Sequence, residues 1–247
     1  KVYFLGTGTS QGIPIIGSKH PVCLSKNPKD KRLRSSIWVQ WDEMDIVVDC
    51  GPDFRQQMLS SKCPKVDALL FTHEHADHTA GLDDIRPFAF KVGALAVFGL
   101  ERVIKNLSKR FDYIFSDENK YPGAPSVTTT IIDPTKPFTA ASKTITPLVV
   151  SHYGLEVLGF RFGLFAYITD MFSITDVEAE KMAGIEVLVV NALRIKPHPS
   201  HLHLDAAIAF AQKIGAKRTY FTHISHRLGF HDEVQASLPP NIHLAYD

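Results

Sequence analysis

The segment 72–78 carries the densest group of metal-ligand side chains in the sequence. It reads Thr-His-Glu-His-Ala-Asp-His and follows an apolar run. His73 and His75 are two residues apart, so an extended segment can direct both side chains at one point. Asp77 and His78 follow at once and can face a second point nearby. Imidazole and carboxylate without thiolate suit zinc, manganese or iron. The segment therefore predicts a metal site.

Three further ligand candidates each follow an apolar run of their own. His152 follows ITPLVVS, Asp170 follows FAYIT, and His223 follows RTYFT. One loop cannot supply every ligand of a two-metal site, so side chains delivered by several strand ends are expected. For each of these residues taken alone, a capping or surface role is the alternative.

Strands with intervening helices must position these residues, which favours a layered α/β or α+β domain. Runs rich in β-branched and aromatic residues predict strands, and 3.6-residue periodicity predicts helices. Strands are expected at residues 2–5, 36–41, 45–49, 66–71, 94–98, 127–132, 145–151, 158–162, 165–168, 186–190 and 218–221. Helices are expected at residues 52–61, 101–111, 176–183 and 204–214, and a loop at 119–125. No repeat or linker interrupts the chain, so a single domain spanning residues 1–247 is expected.

Composition and charge are those of an ordinary soluble globular protein. The chain has 247 residues, of which 45% are hydrophobic and 21% are charged. Its formal net charge of +1 indicates no broad attraction to nucleic acid or membranes, and the basic run 29–34 is interpreted as a solvated loop. No apolar stretch approaches the ~20 residues that span a bilayer. Three cysteines are too few for a disulfide framework. We therefore expect a cytoplasmic protein without a membrane partner, and a homodimer stays open.

The ligand pattern resembles that of the metallo-β-lactamase superfamily. The signature HxHxDH is intact at 73–78, and Asp49 in VVDCG resembles the superfamily's upstream aspartate. The resemblance implies a four-layer αββα sandwich with the metal site at one edge. It also implies two divalent ions, zinc or manganese, with Asp49 orienting a ligand. The implied ligands are His73, His75 and His152 for one ion, Asp77, His78 and His223 for the other, and Asp170 for both.

A nearer resemblance is to the phosphodiesterase family of the carbon–phosphorus lyase pathway. FLGTGTSQGIP at 4–14 is similar to the opening glycine loop of that family, and the stretch 201–226 is similar to its end. The resemblance implies attack on phosphorus by a hydroxide that bridges the two ions. It also implies that His201 is catalytic, stabilising the transition state or protonating the leaving group. His198 and His203 are interpreted as structural or surface residues.

Other functions share parts of this pattern. Lactone, thioester and β-lactam hydrolases of the superfamily share the ligand spacing. The tRNA 3′-end-processing endonuclease is a relative, but the chain has Val-Asn-Ala-Leu at 190–193 in place of its His-Glu-Ala-Thr motif. Nucleic acid is therefore not favoured as a partner. A metal-binding module without turnover would be expected to lose ligands. We predict a phosphodiesterase that acts on a small or cyclic phosphodiester.

An additional zinc site of the nearer family is altered in this chain. Three cysteines and a histidine form that site, and their positions resemble Ser18, His20, Cys23 and His226. Serine is a poor zinc ligand, and structural zinc normally has four protein ligands. We therefore favour loss of this zinc over a weakened site that water or a neighbouring side chain completes.

Arg86 lies just downstream of the metal motif, in the sequence DDIRP. It is close enough along the chain to contact a substrate phosphate. It could equally form an ion pair with Asp83 or Asp84. The sequence leaves both roles open.

Overall fold

Two β-sheets form the framework of the computed structural model, which describes residues 1–116, 118 and 120–247. The strands are β1 (Val2–Gly6), β2 (Ser36–Trp41), β3 (Met44–Val48), β4 (Ala68–Leu70), β5 (Leu95–Gly99), β6 (Val127–Ile131), β7 (Phe138–Ala140), β8 (Lys143–His152), β9 (Leu155–Phe162), β10 (Phe165–Ile168), β11 (Val187–Asn191), β12 (Arg218–Thr222) and β13 (Ile242–Leu244). The sheet orders are β1-β2-β3-β4-β5-β6 and β13-β12-β11-β10-β9-β8-β7.

Short helices connect many of these strands. They are α1 (Pro21–Leu24), α2 (Phe54–Ser61), α3 (Ala76–Thr79), α4 (Arg86–Val92), α5 (Glu101–Arg110), α6 (Asp112–Phe115), α7 (Asp176–Glu180), α8 (Leu204–Ile214) and α9 (His231–Ser237). No helix within the described part of the chain is long and apolar enough to cross a membrane. The first residue of the loop predicted at 119–125 lies outside the described residues.

The backbone divides into two compact units. The first comprises residues 1–5, 36–133 and 138–143, and the second comprises residues 6–35, 134–137 and 144–247. The expectation of one domain over the whole chain stays a prediction.

In the first unit, parallel strands bring chain segments to a common edge. Strands β3, β4, β5 and β6 are parallel, whereas β2 and β3 form an antiparallel hairpin. The side chains of β4 are fully buried, as is usual for a central parallel strand. Helices α2, α4 and α5 add Phe54, Phe88 and Leu107 to the core beside this sheet. Because β3 and β4 run the same way, the residues after them leave from the same edge.

The second unit repeats this arrangement with a different mixture of strands. Strands β8, β9 and β10 are antiparallel to one another, and β10, β11, β12 and β13 are parallel. Helix α8 buries Ala207 and Ala211, and it ends at Gly215, whose φ of +68° suits glycine. Strands β8, β10 and β12 all run the same way, so His152, Asp170 and His223 lie at one edge of this sheet.

The basic run at 29–34 differs from its interpretation as a solvated loop. Arg32 is only 3% exposed. Its guanidinium donates to Thr7 Oγ1 at 2.7 Å and to the Ala245 carbonyl at 2.5 Å, and it lies 3.0 Å from His231 Nδ1. Burial lowers the pKa of Arg32 to about 10, so it stays charged at neutral pH. The solvated-loop prediction is wrong for Arg32, which links three distant segments of the second unit.

Gly81, just after the metal motif, lies against the backbone that precedes α2. A Cβ added to Gly81 would lie 2.1 Å from the Gly51 carbonyl oxygen and 2.7 Å from Phe54 Cβ. The Gly81 N–H also donates to the Cys50 carbonyl at 2.9 Å, which holds it in place. Because backbone must move to admit a methyl group, we expect Gly81→Ala to lower the free energy of unfolding by about 3 kcal/mol, measured by urea unfolding.

Gly99 provides the matched control for this substitution. It lies in the same unit, and its added Cβ would make only ordinary contacts, at 3.4 Å from Val103 Cγ1. Gly99→Ala should therefore cost less than about 1 kcal/mol, within the range of mild substitutions. Equal losses for the two variants would show that the close approach at Gly81 does not determine stability.

Candidate functional site

Three histidines of the first unit cluster after strand β4. His73 Nε2 lies 2.9 Å from His75 Nδ1, and the rings of His73 and His78 have centroids 4.4 Å apart. Two nitrogens bound to one tetrahedral zinc at 2.0–2.1 Å would be about 3.3 Å apart. The spacing of His73 and His75 is therefore close to that of two ligands of one ion.

Asp77 and His78 follow within the four-residue helix α3. Asp77 Oδ2 lies 3.2 Å from His78 Nε2. The His78 side chain is fully buried, and that of Asp77 is 15% exposed. A carboxylate oxygen and an imidazole nitrogen this close have the donor chemistry of a zinc or manganese site.

Asp49 fixes the orientation of His78. Its Oδ2 lies 2.7 Å from His78 Nδ1, and it also accepts from the backbone N–H and the hydroxyl of Thr72. Burial raises the pKa of the Asp49 carboxyl, and the neighbouring His78 opposes that rise. Because Nδ1 faces Asp49, Nε2 is the nitrogen of His78 that is left to bind a metal ion. Asp49 thus makes the contact that an orienting residue requires.

The second unit holds its own cluster of imidazoles around one carboxylate. Asp170 Oδ1 lies 3.0 Å from His201 Nε2, and Asp170 Oδ2 lies 3.3 Å from His223 Nδ1. Ligand atoms of His152, Asp170 and His201 all lie within 4.8 Å of one another. Nδ1 of His152 donates to the Ser200 carbonyl at 2.9 Å, so its Nε2 is the ligand candidate. This buried set of nitrogen and oxygen donors fits a divalent ion.

Threonine hydroxyls contact these ligand candidates, and the sequence did not reveal them. Thr169 Oγ1 donates to Asp170 Oδ2 at 2.7 Å and lies 3.3 Å from His223 Nδ1. Thr9, from the glycine loop, lies 3.2 Å from His223 Nε2. Thr72 Oγ1 likewise lies 3.0 Å from His73 Nδ1. A signal for the Thr72 and Thr169 contacts was present, because each threonine directly precedes the ligand candidate that it contacts.

Several residues of the two clusters have left-handed backbone. The φ angles are +63° at Asp49, +56° at Asp170 and +55° at His223. Non-glycine residues rarely adopt this conformation, which costs roughly 1–3 kcal/mol each. Each lies just beyond a strand, where the reversed φ directs the side chain. Among the described residues, the other left-handed non-glycine residues lie in turns, at Asp42, Lys62, Ala141, Ser142 and Tyr153. The same conformation at three strand ends beside the clusters supports a functional role for Asp49, Asp170 and His223.

His201 lies on a loop, 193–204, that is closed by its own backbone. The Leu193 N–H donates to the Leu202 carbonyl, and the Leu204 N–H donates to the Arg194 carbonyl, both at 2.9 Å. Within the loop, His201 Nδ1 lies 2.8 Å from Ser200 Oγ and 3.3 Å from His198 Nδ1.

The neighbours of His201 extend the site beyond the residues named from the sequence. His198 contacts His201 directly, and burial lowers the pKa of His198. Its interpretation as a structural residue is compatible with this contact, but its proximity to His201 was not foreseen. His203 is the N-cap residue of α8 and makes no side-chain capping bond.

The structure favours the ion-pair role for Arg86. Its Nη2 lies 2.6 Å from Asp83 Oδ1 and 2.6 Å from the Tyr121 hydroxyl. Asp83 also accepts from the Tyr113 hydroxyl at 2.7 Å. The guanidinium is therefore engaged within the first unit and holds the segment around Tyr121.

The residues of the altered zinc site lie in the second unit. The rings of His20 and His226 have centroids 4.7 Å apart, and Cys23 is buried with a free thiol. His20 Nδ1 accepts from the Val22 N–H at 3.3 Å, and the Ser18 hydroxyl accepts from the His20 N–H at 3.2 Å. Within the part of the chain that is described, these residues do not form a group with all ligand atoms inside 4.8 Å. Loss of this zinc stays a prediction.

Comparison with known families gives a match over most of the chain. The model of the "Beta-lactamase superfamily domain" matches residues 45–224. This range begins in β3 and ends after His223, so it includes Asp49 and all seven residues proposed as ligands.

Among solved structures, a diphosphatase from the PhnP family is similar over the whole chain. It shares 41% sequence identity, covers 100% of this chain and 94% of its own, and superposes with a TM-score of 0.92.

Two curated proteins are also similar. An octanoyltransferase of Porphyromonas gingivalis is 40% identical over 245 residues, which is 98% of this chain and 49% of that protein. A ribonuclease Z of Clostridioides difficile is 26% identical over 151 residues, which is 57% of this chain and 47% of that protein. The chain thus spans about half the length of the curated relatives that it matches.

Proposed function

The chain belongs to the metallo-β-lactamase superfamily as a metal-dependent hydrolase, and we propose that it is a phosphodiesterase that acts on a small or cyclic phosphodiester. Membership confirms the predicted fold class. The observation that supports attack at phosphorus over attack at an acyl carbon is the 41% identity, over the whole chain, to a protein described as a diphosphatase.

The proposed ligands are the imidazoles and carboxylates of the two clusters. Two divalent ions would supply Lewis acidity and a water of lowered pKa at neutral pH. Following the superfamily resemblance, His73, His75 and His152 would bind one ion, Asp77, His78 and His223 the other, and Asp170 both. Asp49 would hold His78 through Nδ1, so that Nε2 keeps one direction.

His201 is the proposed proton donor. Ser200 and His198 contact its Nδ1, and Asp170 contacts its Nε2 at 3.0 Å. These contacts fix the ring, and Nε2 is the atom that faces the carboxylate. A proton held at Nε2 can pass to the oxygen that leaves phosphorus.

The residues that replace the endonuclease motif, at 190–193, support a small substrate over tRNA. Asn191, in the stretch 190–193, is buried, and its side-chain amide makes two hydrogen bonds to the backbone of Met171. Its Oδ1 accepts from the Met171 N–H at 2.8 Å, and its Nδ2 donates to the Met171 carbonyl at 3.0 Å. A structural asparagine thus occupies a place where the endonuclease has a functional motif.

Hydrolysis of an acyl bond is the second candidate. The observation that favours it is the octanoyltransferase relative, at 40% identity. That relative is about twice as long as the matched region, so its named activity can belong to the other half. Lactone and thioester substrates therefore belong in the same test.

Metal content and substrate preference together test the proposal. After reconstitution with zinc or manganese, we expect elemental analysis to give two ions per chain. Chelation should abolish hydrolysis of bis-p-nitrophenyl phosphate, and readdition of metal should restore it. Cyclic nucleotides, ribose cyclic phosphates, lactones and an octanoyl thioester complete the panel. Fewer than one ion per chain after reconstitution would contradict the metal assignment. Faster turnover of thioesters than of every phosphodiester would favour the acyl alternative.

A further inference from the structure

Strand β6 lies at an edge of its sheet with one side open. Among the described residues it pairs only with β5, in parallel. Residues 128–131 are exposed, and 51% of the surface of Ile131 is accessible to solvent. A strand in this position presents backbone N–H and carbonyl groups that another strand can bind.

The composition of β6 lacks the usual protection of an edge strand. Natural edge strands carry lysine or proline, contain a bulge, or are very short, and each of these features prevents pairing. The stretch 126–132 reads SVTTTII, in which six of seven residues are β-branched and none is charged or proline. The edge strands of the other sheet, β7 and β13, have only three residues each. β6 therefore has the composition of a strand with a neighbour on both sides.

Hydrogen bonds to β5 determine which backbone groups of β6 face the open edge. The Leu95 N–H donates to the Ser126 carbonyl, and the Ile132 N–H donates to the Gly99 carbonyl, both at 2.9 Å. Backbone direction alternates along a strand, so residues 126, 128, 130 and 132 face β5. The N–H and carbonyl groups of residues 127, 129 and 131 therefore point away from the sheet.

The order of residues in β6 is compatible with its own copy. An antiparallel pair centred on Thr129 places Thr129 opposite Thr129, Thr128 opposite Thr130, and Val127 opposite Ile131. This register brings the outward groups at 127, 129 and 131 opposite one another, which gives about six N–H···O bonds. Threonine pairs and aliphatic pairs are both favourable across strands.

A second copy is favoured over an unrelated polypeptide by the absence of charge. At a two-fold axis every side chain of the central strand meets a symmetry-related side chain, so a charged residue would face a like charge. Like charges directly opposite each other destabilise a sheet. The stretch 126–132 contains no charged residue and so meets this requirement.

We propose that β6 pairs antiparallel with β6 of a second copy of this chain, about a two-fold axis beside Thr129. The two six-stranded sheets then form one continuous sheet across the dimer. One pair of five-residue strands makes a small interface. We therefore expect a reversible dimer with a Kd of about 10–100 µM, in the range of weak and transient complexes.

Sedimentation velocity of the metal-reconstituted protein tests the pairing. Between about 2 and 200 µM, the wild-type protein should change from mostly monomer to mostly dimer. Thr129→Lys and Thr129→Glu should each raise the Kd about 10-fold or more, because each places like charges about 5.5 Å apart at the axis. An equimolar mixture of the two variants should dimerise again, since lysine then faces glutamate.

Two control variants separate the proposed register from a general effect of substitution. Thr129→Val keeps the outward N–H and the β-branched side chain, so it should dimerise like the wild-type protein. Thr139→Lys places a charge on an exposed threonine of β7, the edge strand of the other sheet, and should also keep the wild-type Kd. Restored association in the mixture would show that both charged variants are folded.

Three results would overturn the proposal. A wild-type protein that stays monomeric at about 200 µM would leave the edge to another polypeptide. A dimer that both charged variants retain would have a different interface. A mixture that associates no better than its components would exclude the register centred on Thr129. Association is measured without substrate, so these outcomes do not depend on the proposed phosphodiesterase function.

Discussion

Asp77→Ala should reduce kcat/KM for phosphodiesters by about 10³-fold or more, with loss of one of two bound ions. The reason is that a bound metal contributes several kcal/mol to stabilising the transition state, and each 1.36 kcal/mol is a factor of ten. In the proposed site, Asp77 would supply the anionic ligand next to His78 Nε2, which lies 3.2 Å away. Steady-state kinetics and elemental analysis on the same protein preparation measure both effects.

Glu74→Gln is the matched control for this substitution. Glu74 lies in the same motif but forms an ion pair with Arg102. Loss of such a partly exposed pair costs at most about 1 kcal/mol. The control should therefore keep two ions and most of its turnover. Full activity with two ions in Asp77→Ala would eliminate Asp77 as a ligand.

His201→Ala should lower kcat by roughly 10²–10⁴ while both ions stay bound, because a positioned general acid contributes that much. The substrate must have a poor leaving group, such as an alkyl alcohol, since nitrophenolate departs with little help from an acid. His203→Ala is the control, because it removes an imidazole from the adjacent N-cap position, where the side chain makes no capping bond.

Metal content decides between two roles for His201. Its ligand atom lies within 4.8 Å of those of His152 and Asp170, so His201 could also bind metal. A general acid predicts two ions in His201→Ala and a smaller loss with nitrophenolate esters than with alkyl esters. Loss of an ion, with equal defects on both kinds of ester, would show that His201 is a ligand and not the acid.

The sequence indicated which strands end beside the ligand candidates because that information is local. Apolar runs that close with a serine or threonine end at 72, 151, 169 and 222, and a ligand-type residue follows each. Boundaries were less accurate. The strand expected to include Asp49 ends at Val48, because Asp49 turns to a φ of +63°. Nothing in residue type alone distinguishes an aspartate that continues a strand from one that reverses it.

Other features depend on contacts between distant residues and could not be predicted. Thr9 reaches His223 across 214 positions, and Arg32 reaches His231 across 199. Helix α4 was missed because its sequence, RPFAFKV, contains proline and two phenylalanines, which are weak helix formers. Burial of Phe88 and Ala89 in the core of the first unit compensates for that weak propensity. Tertiary packing thus determines whether a segment of weak helix propensity, such as α4, becomes helical.

The left-handed conformation of Asp49, Asp170 and His223 lowers the stability of the fold, while their side chains are needed for the proposed activity. Together they cost about 3 kcal/mol or more, against a total stability of about 5–15 kcal/mol for a typical domain. Glycine adopts this conformation without strain, so a library of variants sorted only for abundance or solubility should enrich glycine at these three positions. Such a selection would accumulate well-folded proteins without hydrolase activity. Directed evolution of this scaffold therefore has to select for turnover in every round, because glycine at these positions removes two proposed ligands and the carboxylate that orients His78.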